Sequence, residues 1–530
     1  MNLRKASVVL LAVATALASA GCGGGGGSKK ADSSFSVAIA EPTHLIPGNC
    51  QEGNGIAVIS GLFEGLVSLE SDGKLTDTVA SSITSDDQKV WTIKLRPGRT
   101  FHNGEKVTAH SFVDAWNAAA YAPNGWVNNY FFANIVGYDA LNPTKGKPTA
   151  KTMSGLKVLD DLTFQVTLTA PFSQFPLTLA YTGFDPLPKV AFKDFKKFDQ
   201  APVGNGPFQM VGSWKHNESV TLKAYKGYKG PHKPAANGVQ FRIYSKPETA
   251  YNDLTAGNLD IYDEIPATRL AQAKTDLDGR YFTSASSTFH YLGFPVYDKR
   301  FQNPDLRHAF SLAIDRKAII DKIYNGSYQP ADSLISPIVP GYRKGACGDS
   351  CDFDPAKAKQ LLAKAGGWHG PLVLWLPSDE GFDSEMQAIA NQLKTNLGIK
   401  DITLKQQPFA QYLDQLRGHR VNGPYRLDWG MDYPSPQNYL EPLYSTKGSS
   451  NRINYSNAEV DKDIDAGNKA PSIDAGIVDY NKAEDQVLKD MPVVPLYFGQ
   501  IQVGYSPHVS NVKDDALVGI HLWDVRVTSS

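Results

Sequence analysis

Segments of strand period and segments of helix period alternate along most of this chain, and that alternation restricts it to an α/β architecture. Residues 36–39 read as a strand, and residues 56–69 as a helix with Ile59, Leu62, Phe63, Leu66 and Val67 on its apolar side. Residues 88–96 alternate as a strand, and Thr108 stands where it can cap a helix bearing Phe112, Val113 and Trp116. Asp160 and Asp161 separate strand readings at 156–159 and 163–168, which together predict a hairpin. Strands follow at 209–214, 220–224 and 239–244, then a helix opening at Pro247 and stopping before Gly257. Asn303 caps a helix with Pro304 in its first position, and Asp315 caps another after the apolar stripe loses phase. A helix opens at Pro355, a strand occupies 372–376, and a further helix occupies 383–397. At 530 residues the chain exceeds what one core organises, so two or three domains are expected, with PVGNGP at 202–207 marking a transition.

The stretch RLDWGMDYPSPQNYLEPLY at 426–444 carries the most chemistry. Read as a strand, it sets Tyr425, Leu427, Trp429, Met431 and Tyr433 on an apolar face. Arg426, Asp428, Gly430 and Asp432 fall on the other. Gly430 leaves the backbone bare, which lets a second backbone approach closely. Pro434 and Pro436 hold Tyr433 and Ser435 extended, and the segment after Asp432 is therefore expected not to coil into a helix. A carboxylate beside bare strand suits a peptide with a free ammonium end; an edge strand with a solvated Asp fits the same residues.

The N-terminus addresses the chain to the outside. Arg4 and Lys5 precede an apolar run at 6–18 that is too short to span a membrane as a stable helix. Ser19, Ala20 and Gly21 lead to Cys22 in a pattern that resembles a bacterial lipoprotein processing site, although Ser19 stands where Leu is usual. Residues 1–21 are thus expected to be a signal peptide and Cys22 the lipidated first residue. Five glycines at 23–27 then form a flexible tether through residue 33, since no strand precedes them and no Gly-Lys-Ser/Thr follows. Cys347 and Cys351 are close enough to form a small-loop disulfide, and a zinc site would need more Cys or His nearby. The state of Cys50 stays open. With 53 basic and 54 acidic residues, the charge balance gives no support to a nucleic-acid partner.

Seven segments together resemble one family. They are ISGLFEGLVSLESDGK (59–74), VWTIKLRPGRTFHNGEKVTA (90–109), PVGNGPFQMVGSW (202–214), NPDLRHAFSLAIDRKAII (303–320), DPAKAKQLLAKAGG (354–367), WGMDYPSPQNYLEPLY (429–444) and MPVVPLYF (491–498). In this order they resemble the family 5 extracytoplasmic solute-binding proteins of ABC importers, the oligopeptide, dipeptide and nickel type in its lipoprotein form. The resemblance implies a two-lobed periplasmic-binding-protein fold closing about two hinge crossings, at 287–294 and 492–497. Lobe I would comprise 34–70, 205–283 and 494–530, an extra α/β subdomain 71–204, and lobe II 284–493. It also implies a monomer, anchored by lipid to the outer face of the cell membrane, that delivers short peptides to ABC transporter permease subunits.

The resemblance further implies roles for residues. Asp432 stands where the family's oligopeptide members hold the ligand's terminal ammonium. The strand at 428–430, with Trp429, would pair with the ligand backbone, reading peptide without reading sequence. An ungapped extension places Arg426 and Arg417 where some members meet the ligand carboxylate; Arg426 pairing with Asp428 is the alternative. The same extension places residues 51–53, Gly53 included, on a lobe I strand facing the ligand. Tyr497 would line the cleft or sit in the core, and His290 is read as a hinge hydrogen bonder rather than a metal ligand. No metal, cofactor or catalytic residue is expected: the chain has no Gly-x-Ser-x-Gly, no His-Glu-x-x-His and no paired Cys–His signature. The competing functions are a non-peptide ligand (metal chelate, haem or oligosaccharide), a signalling or adhesion lipoprotein, and a hydrolase using carboxylates such as Asp160 and Asp161.

Overall fold

The computed structural model of the protein describes residues 33–528 other than 71, 72, 267, 379, 517 and 518. The signal, the tether as far as residue 32, and Cys22 lie outside the described residues. A mixed sheet of 11 strands forms the spine. One end holds Ser34–Ile39, Gly238–Ile243, Ser219–Ala224 and Phe208–Met210; the other holds Tyr425–Trp429, Leu372–Pro377 and Ile402–Gln407. Between them run two antiparallel strands of 13 residues each, Tyr281–Gly293 and Val493–Tyr505, paired from Tyr281 opposite Gly504 to Gly293 opposite Val493. A separate sheet of 4 strands carries the hairpin Leu156–Asp160 and Thr163–Thr167, with Asp160 and Asp161 at its turn.

Most helices begin where a capping side chain meets an apolar stripe. Asn303 accepts from Asp305 N, Asp315 from Ala318 N and Asp354 from Ala356 N, opening Pro304–Leu312, Arg316–Ile323 and Pro355–Lys364. Thr108 caps Ala109–Ala120, whose Phe112 and Trp116 are fully buried. Helix Asp383–Leu397 matches its expected bounds and buries Met386, Ile389 and Leu393.

Three expectations are corrected. The helix read at 56–69 is Gly53–Leu62, capped by the Glu52 carboxylate, and the chain then turns into strand Val67–Leu69. Leu66 and Val67 are buried all the same, which is why their spacing mimicked a helix stripe. Residues 51–53 accordingly form no strand; Gly53 is the first residue of that helix. The segment after Asp432 does become a helix, Pro436–Tyr444, because Pro436 occupies the first helical position, where its missing N–H is harmless. Ser435 is extended, as the following proline requires, and caps that helix with its hydroxyl. Cys347 and Cys351 are bonded, and Cys50 is a buried free thiol pushed up to about 12 by burial and then by Glu52.

Candidate ligand cavity

Strand Tyr425–Trp429 pairs with the Tyr281–Gly293 strand only as far as Trp429 opposite Phe289. Just before Phe289 the partner strand bulges, so residues 286–288 face Gly499 alone. The carbonyls of Ser286 and Ser287 accept instead from Ser336 Oγ at 2.9 Å and Tyr439 Oη at 2.6 Å. With no ladder left to follow, the chain leaves the sheet at the exposed Gly430. Met431 and Asp432 then enter a cavity of about 390 Å³, which Gly53 also lines. On its other side the same strand meets a neighbour only at Tyr425 opposite Trp375. Beyond that bridge its edge has no strand partner among the described residues.

Asp432 is held by its backbone and its carboxylate. Its N–H donates to Asn438 Oδ1 at 2.8 Å, and Asn438 Nδ2 returns a bond to Oδ2 at 3.2 Å. Burial pushes the carboxyl up to about 6, against a smaller opposing pull from the Asn438 amide. No cationic side chain among the described residues pairs with it. Tyr130 and Tyr181 sit close enough that Asp432, after burial, is the next influence raising their phenols. Gln51 Nε2 donates to Tyr130 Oη at 2.8 Å and so fixes one of these rings.

The charged face of the strand is divided. Arg426 is fully buried, not exposed: its Nε donates to Glu385 at 3.0 Å, Nη2 lies 2.7 Å from His290 Nδ1, and its plane covers the Phe382 ring at 3.9 Å. The expectation that Arg426 meets a ligand carboxylate is thereby corrected, since no face of the guanidinium is left open. Its alternative pairing with Asp428 is present at 3.4 Å. Burial, the largest influence on Asp428, would raise its carboxyl, but contacts with His290 and Arg426 bring it down to about 2. Tyr497 is also buried, donating to Glu385 beside Tyr324, so it belongs to this network and not to the cavity wall. His290 joins the same network, and no cluster of metal-binding side chains occurs among the described residues. Arg417 is exposed at the end of helix Phe409–Arg417 and pairs with Asp414 at 3.1 Å.

Residues 74–451 match the family model for bacterial extracellular solute-binding proteins, family 5 middle. This chain is a family 5 solute-binding protein. The oligopeptide-binding protein OppA of Bacillus subtilis is 28% identical over 475 residues, 86% of each chain. The periplasmic oligopeptide-binding protein OppA of Salmonella typhimurium is 30% identical over 455 residues, 82% of this chain and 81% of its own. Among solved structures, the unliganded open form of the periplasmic murein tripeptide-binding protein MppA has a TM-score of 0.80 at 24% identity, covering 94% and 97% of the two chains. Haemophilus influenzae OppA in complex with RPPGFSPFR has a TM-score of 0.73 at 25% identity, covering 94% and 99%. The fold is the two-lobed α/β binding-protein fold.

In this family 5 protein the structure brings Asp432 and Gly53 to one cavity, places Trp429 and Gly430 on the approach to it, and separates Arg426, Arg417 and Tyr497 from it. Asn438, Tyr130 and Tyr181 escaped the sequence reading. For Asn438 a signal existed: Ser435-Pro436 is a helix start, and a helix there points residue 438 back toward residue 432. For the two tyrosines none did, because they lie about 250 to 300 residues away from Asp432 along the chain.

Proposed function

We propose that this protein captures short peptides between its lobes and passes them to an ABC importer, with Asp432 holding the peptide's free amino terminus. The observation that carries the reading is a largely buried carboxylate, open to a cavity, with no cation beside it among the described residues. A terminal ammonium supplies that charge and several N–H donors at once, in surroundings where the attraction is stronger than in open water. Strand Tyr425–Trp429 has no strand partner on one side beyond Tyr425, although Tyr412 Oη occupies the Arg426 carbonyl at 2.6 Å; we infer that an extended ligand backbone adds beyond that point, at Asp428–Gly430. Lobe I is assigned residues 34–70, 205–283 and 494–530, the extra subdomain 71–204, and lobe II 284–493. The relatives named for oligopeptide binding favour peptide over metal chelate or sugar. The protein is assigned to the outer face of the membrane as a monomer, held through lipid on Cys22.

Mass spectrometry of ligand carried through native purification, followed by calorimetry, tests this. Peptides with a free amine are expected to bind wild type and to lose about 3–5 kcal/mol with Asp432→Ala, the scale of a buried charge left without its partner. N-acetylated peptides that bind as tightly as free ones would overturn the role of Asp432. For the anchor, a Cys22→Ser chain that still incorporates fatty acid would refute lipidation at that residue.

A further inference from the structure

The cavity that holds Asp432 contains a second acidic centre. Asp185 is 5% exposed, lines the cavity, and has no side-chain hydrogen bond or ion pair with the described residues. Beside it Glu64, also buried, accepts from Tyr228 Oη and lies 3.4 Å from Arg99 Nη1, which leaves Glu64 Oε2 without a hydrogen bond. Ser68 Oγ and Thr182 Oγ1 line the same cavity and are likewise without hydrogen-bond partners. Arg99 therefore answers Glu64, but no cation among the described residues answers Asp185. Among the described residues of the wall the basic side chain is His232, which burial drives toward its neutral form. The backbone keeps the site clear: a Cβ on Gly65 would stand 2.7 Å from Asp185 Oδ1.

A fold under no demand beyond its own packing has no use for such a group. Burial, and then the charge of Glu64, hold the Asp185 carboxyl well above the ordinary range. Replacing it with an apolar residue of similar size would relieve that penalty. The surrounding acceptors match a group with several N–H donors and no acceptor, such as an ammonium or a guanidinium. We propose that Asp185, with Glu64 beside it, is a subsite for the cationic side chain of a lysine or arginine in the bound peptide, so that this protein selects basic peptides. This deepens the peptide-binding reading and rests on it: Asp432 takes the terminal ammonium, and Asp185 takes a second cation in the same cavity.

Calorimetry with trialanine, with its three singly lysine-substituted forms, and with their norleucine counterparts, all with free amino termini, tests the subsite. At least one lysyl peptide is expected to bind about tenfold or more tightly than its norleucyl counterpart. Asp185→Asn should abolish this difference while leaving trialanine affinity unchanged. Equal affinities across all lysyl–norleucyl pairs in wild type, or a lysine preference that persists in Asp185→Asn, would overturn the subsite alone. A wild-type protein that binds none of these peptides, trialanine included, would overturn the peptide reading and the subsite with it.

Discussion

Asp432 is kept in a state the fold itself does not favour. Burial pushes its carboxyl up to about 6, above the value in an unfolded chain, so the folded protein binds more protons than the unfolded one between about pH 4 and pH 6. Its contribution to stability is therefore present at low pH and lost as pH rises through 6. At pH 7 the ligand-free Asp432→Asn variant is expected to be the more stable in a urea melt, by about 1–3 kcal/mol. Binding runs the other way. A peptide ammonium needs the ionised form, so affinity should fall about tenfold between pH 7 and pH 5 in wild type and stay flat in Asp432→Asn, as read by calorimetry. Asp432 was legible from its immediate surroundings, because a carboxylate beside Gly430 on an alternating strand is a local pattern. Arg426 was misread by the same logic. Alternation assigns a side but cannot tell whether that side faces water, and among the residues that bury Arg426 is Glu385, 41 residues earlier on helix Asp383–Leu397. Asp185 and Glu64 are 121 residues apart and form no motif at all.

Elements whose determinants are local were read well, and those decided by distant packing were not. Capping by Asn303, Asp315 and Asp354 needs only the next three residues, and all three helices begin there. The PVGNGP segment, read from the sequence as a domain transition, also grips the end of helix Gly53–Leu62. Gly206 N–H donates to Leu62 O at 2.8 Å, Asn205 exchanges bonds with the Glu64 backbone at 2.8 and 3.1 Å, and a Cβ on Gly204 would overlap the Leu62 carbonyl. That close approach is what sets Glu64 on the cavity wall. Gly204→Ala is expected to lower stability by about 1–3 kcal/mol, measured by chemical denaturation, because backbone on both sides must move. Severing the buried pair by Arg426→Met should lower it further, by about 3–5 kcal/mol, since Glu385, at 1% exposure, would keep its tyrosine hydroxyls but lose the cation that balances its charge.

At the scale of the whole molecule, the alternation of strands and helices was enough to name an α/β protein, and the order of seven segments was enough to suggest its two lobes. It could not show that one sheet of 11 strands runs through the body, because the pairing of Val37 with Phe241 and Ile261 joins residues more than 200 apart. A ligand that binds only the folded state should raise the unfolding free energy by about 2.7 kcal/mol at a concentration one hundred times its Kd. A thermal melt with and without free-amine peptide checks this, and N-acetylated peptide should give a far smaller shift.

The bulge at 286–288 matters for how the molecule moves as well as for where Asp432 points. A ladder of strand bonds resists bending because each rung must be stretched, but here three residues face Gly499 alone and the rungs are already missing. The carbonyls at the gap are satisfied from one side by Ser336 and Tyr439, so the gap can flex while those two tethers travel with it. Any swing of one half of the sheet against the other would therefore proceed without unzipping either long strand.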